Sequence, residues 1–135
     1  VVLCLCILGG RKIYAEKIIH IDAEKYLCTF SDNFWNIKNQ EKLTNLVKNK
    51  EIKVTGIIHK VHRDYIDGYW ITIRQQRNEK ISDGWIYIIC YFKDNTDLGI
   101  KSGDKITIKG YCKGWSGASL NIYRCELIKV SPYLN

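Results

Sequence analysis

From Glu51 onward the apolar residues recur at every second position, and that period dictates strands. Segment 51–61 places Ile52 and Val54 on one face. Segment 85–92 sets Ile86, Ile88, Cys90 and Phe92 against Trp85, Tyr87, Ile89 and Tyr91, and segment 104–113 turns Ile106 and Ile108 to one side. Segments 69–75 and 119–130 read the same way. Turn chemistry separates them: Arg63-Asp64-Tyr65-Ile66-Asp67-Gly68 precedes the second strand, the polar stretch 94–103 the fourth, and Gly114-Trp115-Ser116-Gly117 the fifth. Gly56, inside the first strand, marks a bend or bulge.

Before Glu51 the period is helical. Asp22 is placed to cap free amides, with Ala23, Tyr26, Leu27 and Phe30 following at helical spacing, and this helix should end near Asn33. A second helix is expected over 39–49, where Leu43, Leu46 and Val47 form one stripe. Both stripes read as packing faces. The run from Val1 to Gly10 is too short to span a bilayer and long enough for the apolar part of an export signal. Export with cleavage after Ala15 is the expectation; a membrane anchor or a buried strand are the alternatives. No internal repeat or linker appears, so the chain divides into 1–15, a signal or anchor; 16–50, a helical extension; and 51–130, the strand domain. Five strands in about 80 residues favour closure, because an open sheet leaves two unpaired edges. The fold class expected is all-β with an N-terminal helical extension, a five-stranded Greek-key barrel of the OB type; an SH3-like barrel has a similar strand count.

Twenty-one Lys and Arg against fourteen Asp and Glu give a net charge of +7, which suits anionic partners. Removal of 1–15 keeps that bias, since Arg11 and Lys12 are its only Lys or Arg and it holds no Asp or Glu. Cys4 and Cys6 lie in the leader, leaving Cys28, Cys90, Cys112 and Cys125. Their spacing lacks Cys-x-x-Cys, so neither a metal nor a cofactor is expected. In an oxidising compartment the fourth and fifth strands of such a barrel, being neighbours, could join Cys112 to Cys125. That bridge needs a bulge near Tyr123-Arg124, and Cys90 is the rival partner.

Specific residues carry a resemblance. Val54-x-Gly56, Cys90-x-Phe92, the block Gly103-Asp104-x-Ile106-Thr107-Ile108-Lys109-Gly110-x-Cys112-x-Gly114, Leu120 and Cys125-x-Leu127 resemble the tRNA_anti-like family of small bacterial OB-fold proteins. The likeness covers about 51–130 and, more loosely, the helix at 22–33. It implies an OB barrel preceded by a helix, often behind a signal or lipoprotein leader, hence a secreted or cell-envelope protein. Residues 34–50 are longer and richer in Asn and Lys than that pattern, and no lipobox surrounds Cys4 or Cys6.

The sequence carries no Walker loop, no His-Glu-x-x-His and no dinucleotide fingerprint, and Gly114-Trp115-Ser116-Gly117-Ala118 falls short of a nucleophile elbow, so no enzyme is expected. His59 and His62 alternate onto opposite faces, and Asp64 and Asp67 read as turn residues. OB folds bind oligonucleotides or oligosaccharides on the second and third strands and the adjoining loops. The candidates there are Tyr65, Tyr69, Trp70, Arg74, Arg77, Trp85, Tyr87, Tyr91, Lys113 and Trp115, with Tyr69 and Trp70 on opposite faces. Aromatic faces stack on bases while Arg and Lys meet phosphates. The expected partner is single-stranded nucleic acid or another anionic polymer; the alternative is an envelope protein or glycan, which export would favour.

Overall fold

The computed structural model describes residues 6–8, 11–13, 18–64, 66, 68–75 and 86–131. Two short strands, β1 (Cys6–Leu8) and β2 (Arg11–Ile13), pair antiparallel with one another. The expected cleavage point, Ala15, lies outside the described residues. Next come β3 (Ile19–Asp22), helices α1 (Ala23–Asp32) and α2 (Ile37–Val47), and five longer strands. These are β4 (Lys50–Asp64), β5 (Gly68–Arg74), β6 (Tyr87–Phe92), β7 (Lys105–Ser116) and β8 (Ser119–Ser131). Among the described residues no helix is long and apolar enough to cross a membrane.

Both helices begin at a side-chain cap. The Asp22 carboxylate accepts the Lys25 N–H at 3.1 Å, and the Asn36 side chain accepts the Asn39 N–H at 3.1 Å. The second cap starts α2 two residues ahead of the expected 39, because Asn36 and not the Leu43 stripe sets the boundary.

The strands from β3 to β8 form one sheet of six, ordered β3-β4-β5-β6-β8-β7, in which β4 also pairs with β7. The pairings therefore run from β4 through β5, β6, β8 and β7 back to β4. Strand β4 is long enough for this because it changes partner along one edge. Ile52 to Thr55 lie beside β3 in parallel, and Ile58 to Asp64 beside β5 antiparallel. Strand β3, only four residues long, is the sixth strand that the alternation did not announce. The β6–β8 contact is parallel and the β7–β8 contact antiparallel.

Inside lie Ile52, Val54, Ile58, Ile71, Ile73, Ile88, Ile106, Ile108, Leu120 and Ile122, each no more than 2% exposed. Each such side chain contributes roughly 1.5–3 kcal/mol relative to exposure. Ala23, Tyr26, Leu27 and Phe30 of α1 join the same core. Gly56 does not mark the bulge, which falls a little further along the strand, between Ile58 and Lys60. It is small because α1 crosses there: a Cβ at 56 would lie 2.7 Å from the Ala23 Cβ.

The expected bulge near Tyr123-Arg124 is present, but its result differs from expectation. Lys109 faces Glu126 and Tyr111 faces Tyr123, so Arg124 and Cys125 together oppose Gly110, with Arg124 at φ 53°. Cys125 is thereby turned beneath Gly110 and against Cys90, not toward Cys112, whose register partner is Ile122. Cys90, Cys112 and Cys125 are unbridged thiols, and the expected Cys112–Cys125 bridge is absent. Burial pushes the Cys112 thiol up, and the Cys125 sulfur beside it, with burial, pushes Cys90 well up.

Gly110 is where β7 can least tolerate a side chain. A Cβ there would meet Ile122 Cγ2 at 2.7 Å, Cys125 Sγ at 2.8 Å and the Tyr123 carbonyl at 2.9 Å. Gly110→Ala is expected to destabilise the fold by about 1–3 kcal/mol through overpacking. Gly117→Ala, at φ 59° with open space around it, should cost only the left-handed backbone penalty of about 1 kcal/mol. Urea unfolding of both variants checks this, and a Gly110→Ala loss no larger than that of Gly117→Ala would contradict it.

Candidate functional site

What the core takes from each strand leaves the alternate residues outside, and on neighbouring strands these fall side by side. His62 of β4 stacks on Trp70 of β5 with ring centroids 5.0 Å apart and 11° between planes. Trp70 lies 6.4 Å from Tyr91 of β6, and Tyr91 stacks on Tyr123 of β8 at 4.8 Å and 7°. Tyr111 of β7 is the register partner of Tyr123. The result is one outward aromatic residue on each of five neighbouring strands.

A groove of about 910 Å³ opens at the β6–β8–β7 end of this row, lined by Tyr91, Phe92, Lys93, Gly110, Tyr111, Lys113, Tyr123 and Arg124, with Glu51 and Glu126. Lys109 sits 3.2 Å from Glu51, and Lys93 3.7 Å from Glu126, so both carboxylates have cationic partners. Lys113 and Arg124 form no ion pair among the described residues. The Lys113 ammonium lies 5.4 Å from the Tyr111 ring centroid, within cation–π range. The groove is therefore aromatic on its walls and net cationic at its mouth.

Towards the other end, Arg74 and Tyr87 are register partners across β5 and β6, and His59 lies 6.2 Å from Tyr87. Burial, followed by the nearby cations Arg74 and Lys60 and by His62, holds the His59 imidazole below its ordinary pKa of 6.5. The cations of this face supply the smaller part of that shift.

Of the residues singled out in the sequence, Trp70, Arg74, Tyr87, Tyr91 and Lys113 lie on this outward face. Tyr69, on the opposite side of β5 from Trp70, is 2% exposed and meets Phe92 edge-on inside the core. Trp115 is placed otherwise than expected: it stacks on Phe30 at 4.1 Å and donates its indole N–H to the Tyr26 hydroxyl at 3.3 Å. Its ring seals α1 to β7, since an apolar helix stripe needs a flat apolar surface to bury. Tyr26 passes the contact on, donating to the Leu43 carbonyl of α2 at 2.8 Å, and burial lifts its phenol to about 12. Tyr65, Arg77 and Trp85 lie outside the described residues.

Four residues of the face escaped the sequence reading: His62, Tyr111, Tyr123 and Arg124. Tyr111 was within reach, two positions before Lys113 on the same strand face. His59 and His62, expected on opposite faces, both turn outward because the bulge between Ile58 and Lys60 breaks the alternation, and they pack against Tyr87 and Trp70; among the described residues no group of three or more His, Cys, Asp or Glu could hold a metal. Asp64 is a turn residue, accepting the Ile66 N–H at 2.8 Å, while Asp67 lies outside the described residues.

A sheet whose pairings return to their starting strand, packed against the helices, agrees with an OB-like protein. A model of the tRNA_anti-like family matches residues 11–126, and the chain belongs to that family. The matched span takes in both helices and β3 as well as β4 to β7 and the first part of β8. None of the curated proteins compared with the chain matches it.

His59 should titrate below 6.5 in a pH series of imidazole NMR resonances, and Arg74→Gln should raise its midpoint only part of the way back, because burial is the larger cause. A midpoint at or above 6.5 in the unaltered protein would contradict the description of this face.

Proposed function

We propose that the chain is a non-catalytic OB-fold module that binds single-stranded nucleic acid along its outward aromatic row. In this reading the ring of pairings through β4, β5, β6, β8 and β7 is the five-stranded Greek-key barrel, and the parallel β6–β8 contact is the step that closes it. The observation that carries the proposal is the row His62, Trp70, Tyr91, Tyr123, continued by Tyr111 across the groove, which crosses all five barrel strands.

The row also says where a base would enter. Tyr91 and Tyr123 stack on each other, so one face of each is already occupied. The groove between Tyr123 and Tyr111 is where a base can extend the stack, with Lys113 and Arg124 beside it for the phosphates. Base–aromatic stacking is worth about 1–3 kcal/mol per base and tolerates any sequence, while each neutralised phosphate adds salt dependence. A polymer read this way is recognised by its flat bases and its charge, not by its sequence. The family resemblance supports a binding module over an enzyme, and a glycan or envelope protein on the same rings is the competing partner.

Fluorescence anisotropy with a labelled single-stranded oligonucleotide checks the proposal. Tyr123→Ala and Tyr91→Ala should each weaken binding by about 1–3 kcal/mol, and Lys113→Ala should lower the salt slope by about one. Trp35→Ala, at a site 83% exposed on the turn between the helices, should change nothing. Absence of binding at low ionic strength would remove nucleic acid as the partner, and binding that ignores salt would favour the glycan or protein.

A further inference from the structure

On β7 the residues facing outward alternate as Lys105, Thr107, Lys109, Tyr111 and Lys113. Only the last two belong to the aromatic groove. Four residues back from Tyr111, roughly 13 Å along the strand, Thr107 enters a second and smaller hollow. Its volume is about 200 Å³, and it is lined by Thr55, Lys105, Ile106, Thr107, Lys129 and Ser131. Two lysines, two threonines and a serine are among its lining residues, and no carboxylate is. Neither Lys105 nor Lys129 has an ion-pair partner among the described residues.

Strand registers place these groups together. Thr55 faces Thr107 across β4 and β7, Thr107 faces Lys129 across β7 and β8, and Lys105 faces Ser131. Strand β3 adds a further polar link, since His20 Nε2 lies 2.8 Å from Thr55 Oγ1, and Thr55 Oγ1 lies 2.9 Å from Thr107 Oγ1. When His20 donates, the Thr55 hydroxyl donates to Thr107, and the Thr107 hydrogen is left to point at a ligand oxygen. Asp22 and Glu24 line a neighbouring hollow that shares Thr55 and Lys105, and the adjacent Asp104 carboxylate is turned to the Lys101 N–H. Asp22 is engaged with the Lys25 N–H at the start of α1, and Glu24 accepts from the Cys28 thiol at 3.3 Å.

We propose that Thr55, Thr107, Lys105 and Lys129 form a second binding site, which takes one phosphate group. Two lysine charges beside a threonine hydroxyl with its hydrogen available suit a tetrahedral oxyanion, and the hollow has no aromatic wall for a base. The phosphate comes either from inorganic phosphate, from a terminal monoester or from a backbone diester. The site does not depend on nucleic acid binding in the aromatic groove.

The test is a titration of the isotope-labelled protein with inorganic phosphate at fixed ionic strength, followed by NMR, with chloride as the control. The amide signals of Lys105, Thr107 and Lys129 should shift saturably with phosphate and not with chloride. Thr107→Val and Lys129→Ala should each weaken the phosphate affinity about tenfold or more, the scale of a hydrogen bond to a charged group. Thr107→Ser, which keeps the hydroxyl, should retain it, and Tyr123→Ala, which disables only the aromatic groove, should leave it unchanged. A nucleoside monophosphate and an oligonucleotide lacking terminal phosphates, titrated in the same way, separate monoester from diester; a shift of these residues by either supports the site. Shifts that do not saturate, that chloride reproduces, or that Thr107→Val leaves untouched would overturn the proposal.

Discussion

Strand β8 breaks its own alternation at one point, and the rest of the sheet is arranged around that break. Without it, Ile122 inside would be followed by Arg124 inside and Cys125 outside, leaving a guanidinium buried in an apolar core. Such a burial costs several kcal/mol, whereas a non-glycine residue in the left-handed region costs about 1–3 kcal/mol. The chain adopts the smaller penalty: Arg124 sits at φ 53°, and Ile122 and Cys125 both turn inward. Gly110 accommodates the break from the other side, because only a residue without a side chain leaves room for Cys125 and Ile122 beneath it. Tyr123 and Arg124 then face outward as consecutive residues, and a ring and a cation arrive at the groove together.

The second constraint is competition for aromatic surface. The helix α1 has an apolar stripe to bury, and it takes Trp115 for that purpose through Phe30 and Tyr26. The rings that remain outward are those that α1 does not reach. They hold one another in place across the sheet, His62 on Trp70 and Tyr91 on Tyr123, so a ligand bound as proposed would meet rings whose positions are already fixed. Such preorganisation lowers the ordering cost of binding.

Strand parity made much of this legible in the sequence. The alternation in 69–75 set Tyr69 and Trp70 on opposite faces, and the helix cap at Asp22 followed from residue type. The block from Gly103 to Cys112 is now readable as physics: a left-handed turn at Gly103, a buried Asp104 whose carboxylate accepts the Lys101 N–H, inward Ile106 and Ile108, and the close approach at Gly110. Trp115 could not be assigned, because nothing local tells a ring that packs under a helix from one that waits for a ligand. Tyr123 was hidden by the bulge that exposes it. The bulge itself was foreseen, but whether it turned Cys125 toward Cys112 or Cys90 depends on which strand lies on which side of β8, and that is a property of the whole sheet. Strand β3 was too short for its alternation of Ile19 and Ile21 to stand out from a linker.

A single strand of nucleic acid lying across the outward rings, with a base inserted at the Tyr111–Tyr123 groove, would bring its bases against identifiable tyrosines. Ultraviolet cross-linking of the protein to a single-stranded oligonucleotide, with the attachment sites located by peptide mass spectrometry, tests this most directly. Adducts concentrated on the peptides carrying Tyr91, Tyr111 and Tyr123 are the result expected. Adducts confined to Trp35 on the helical turn, or spread without preference over the surface, would contradict it.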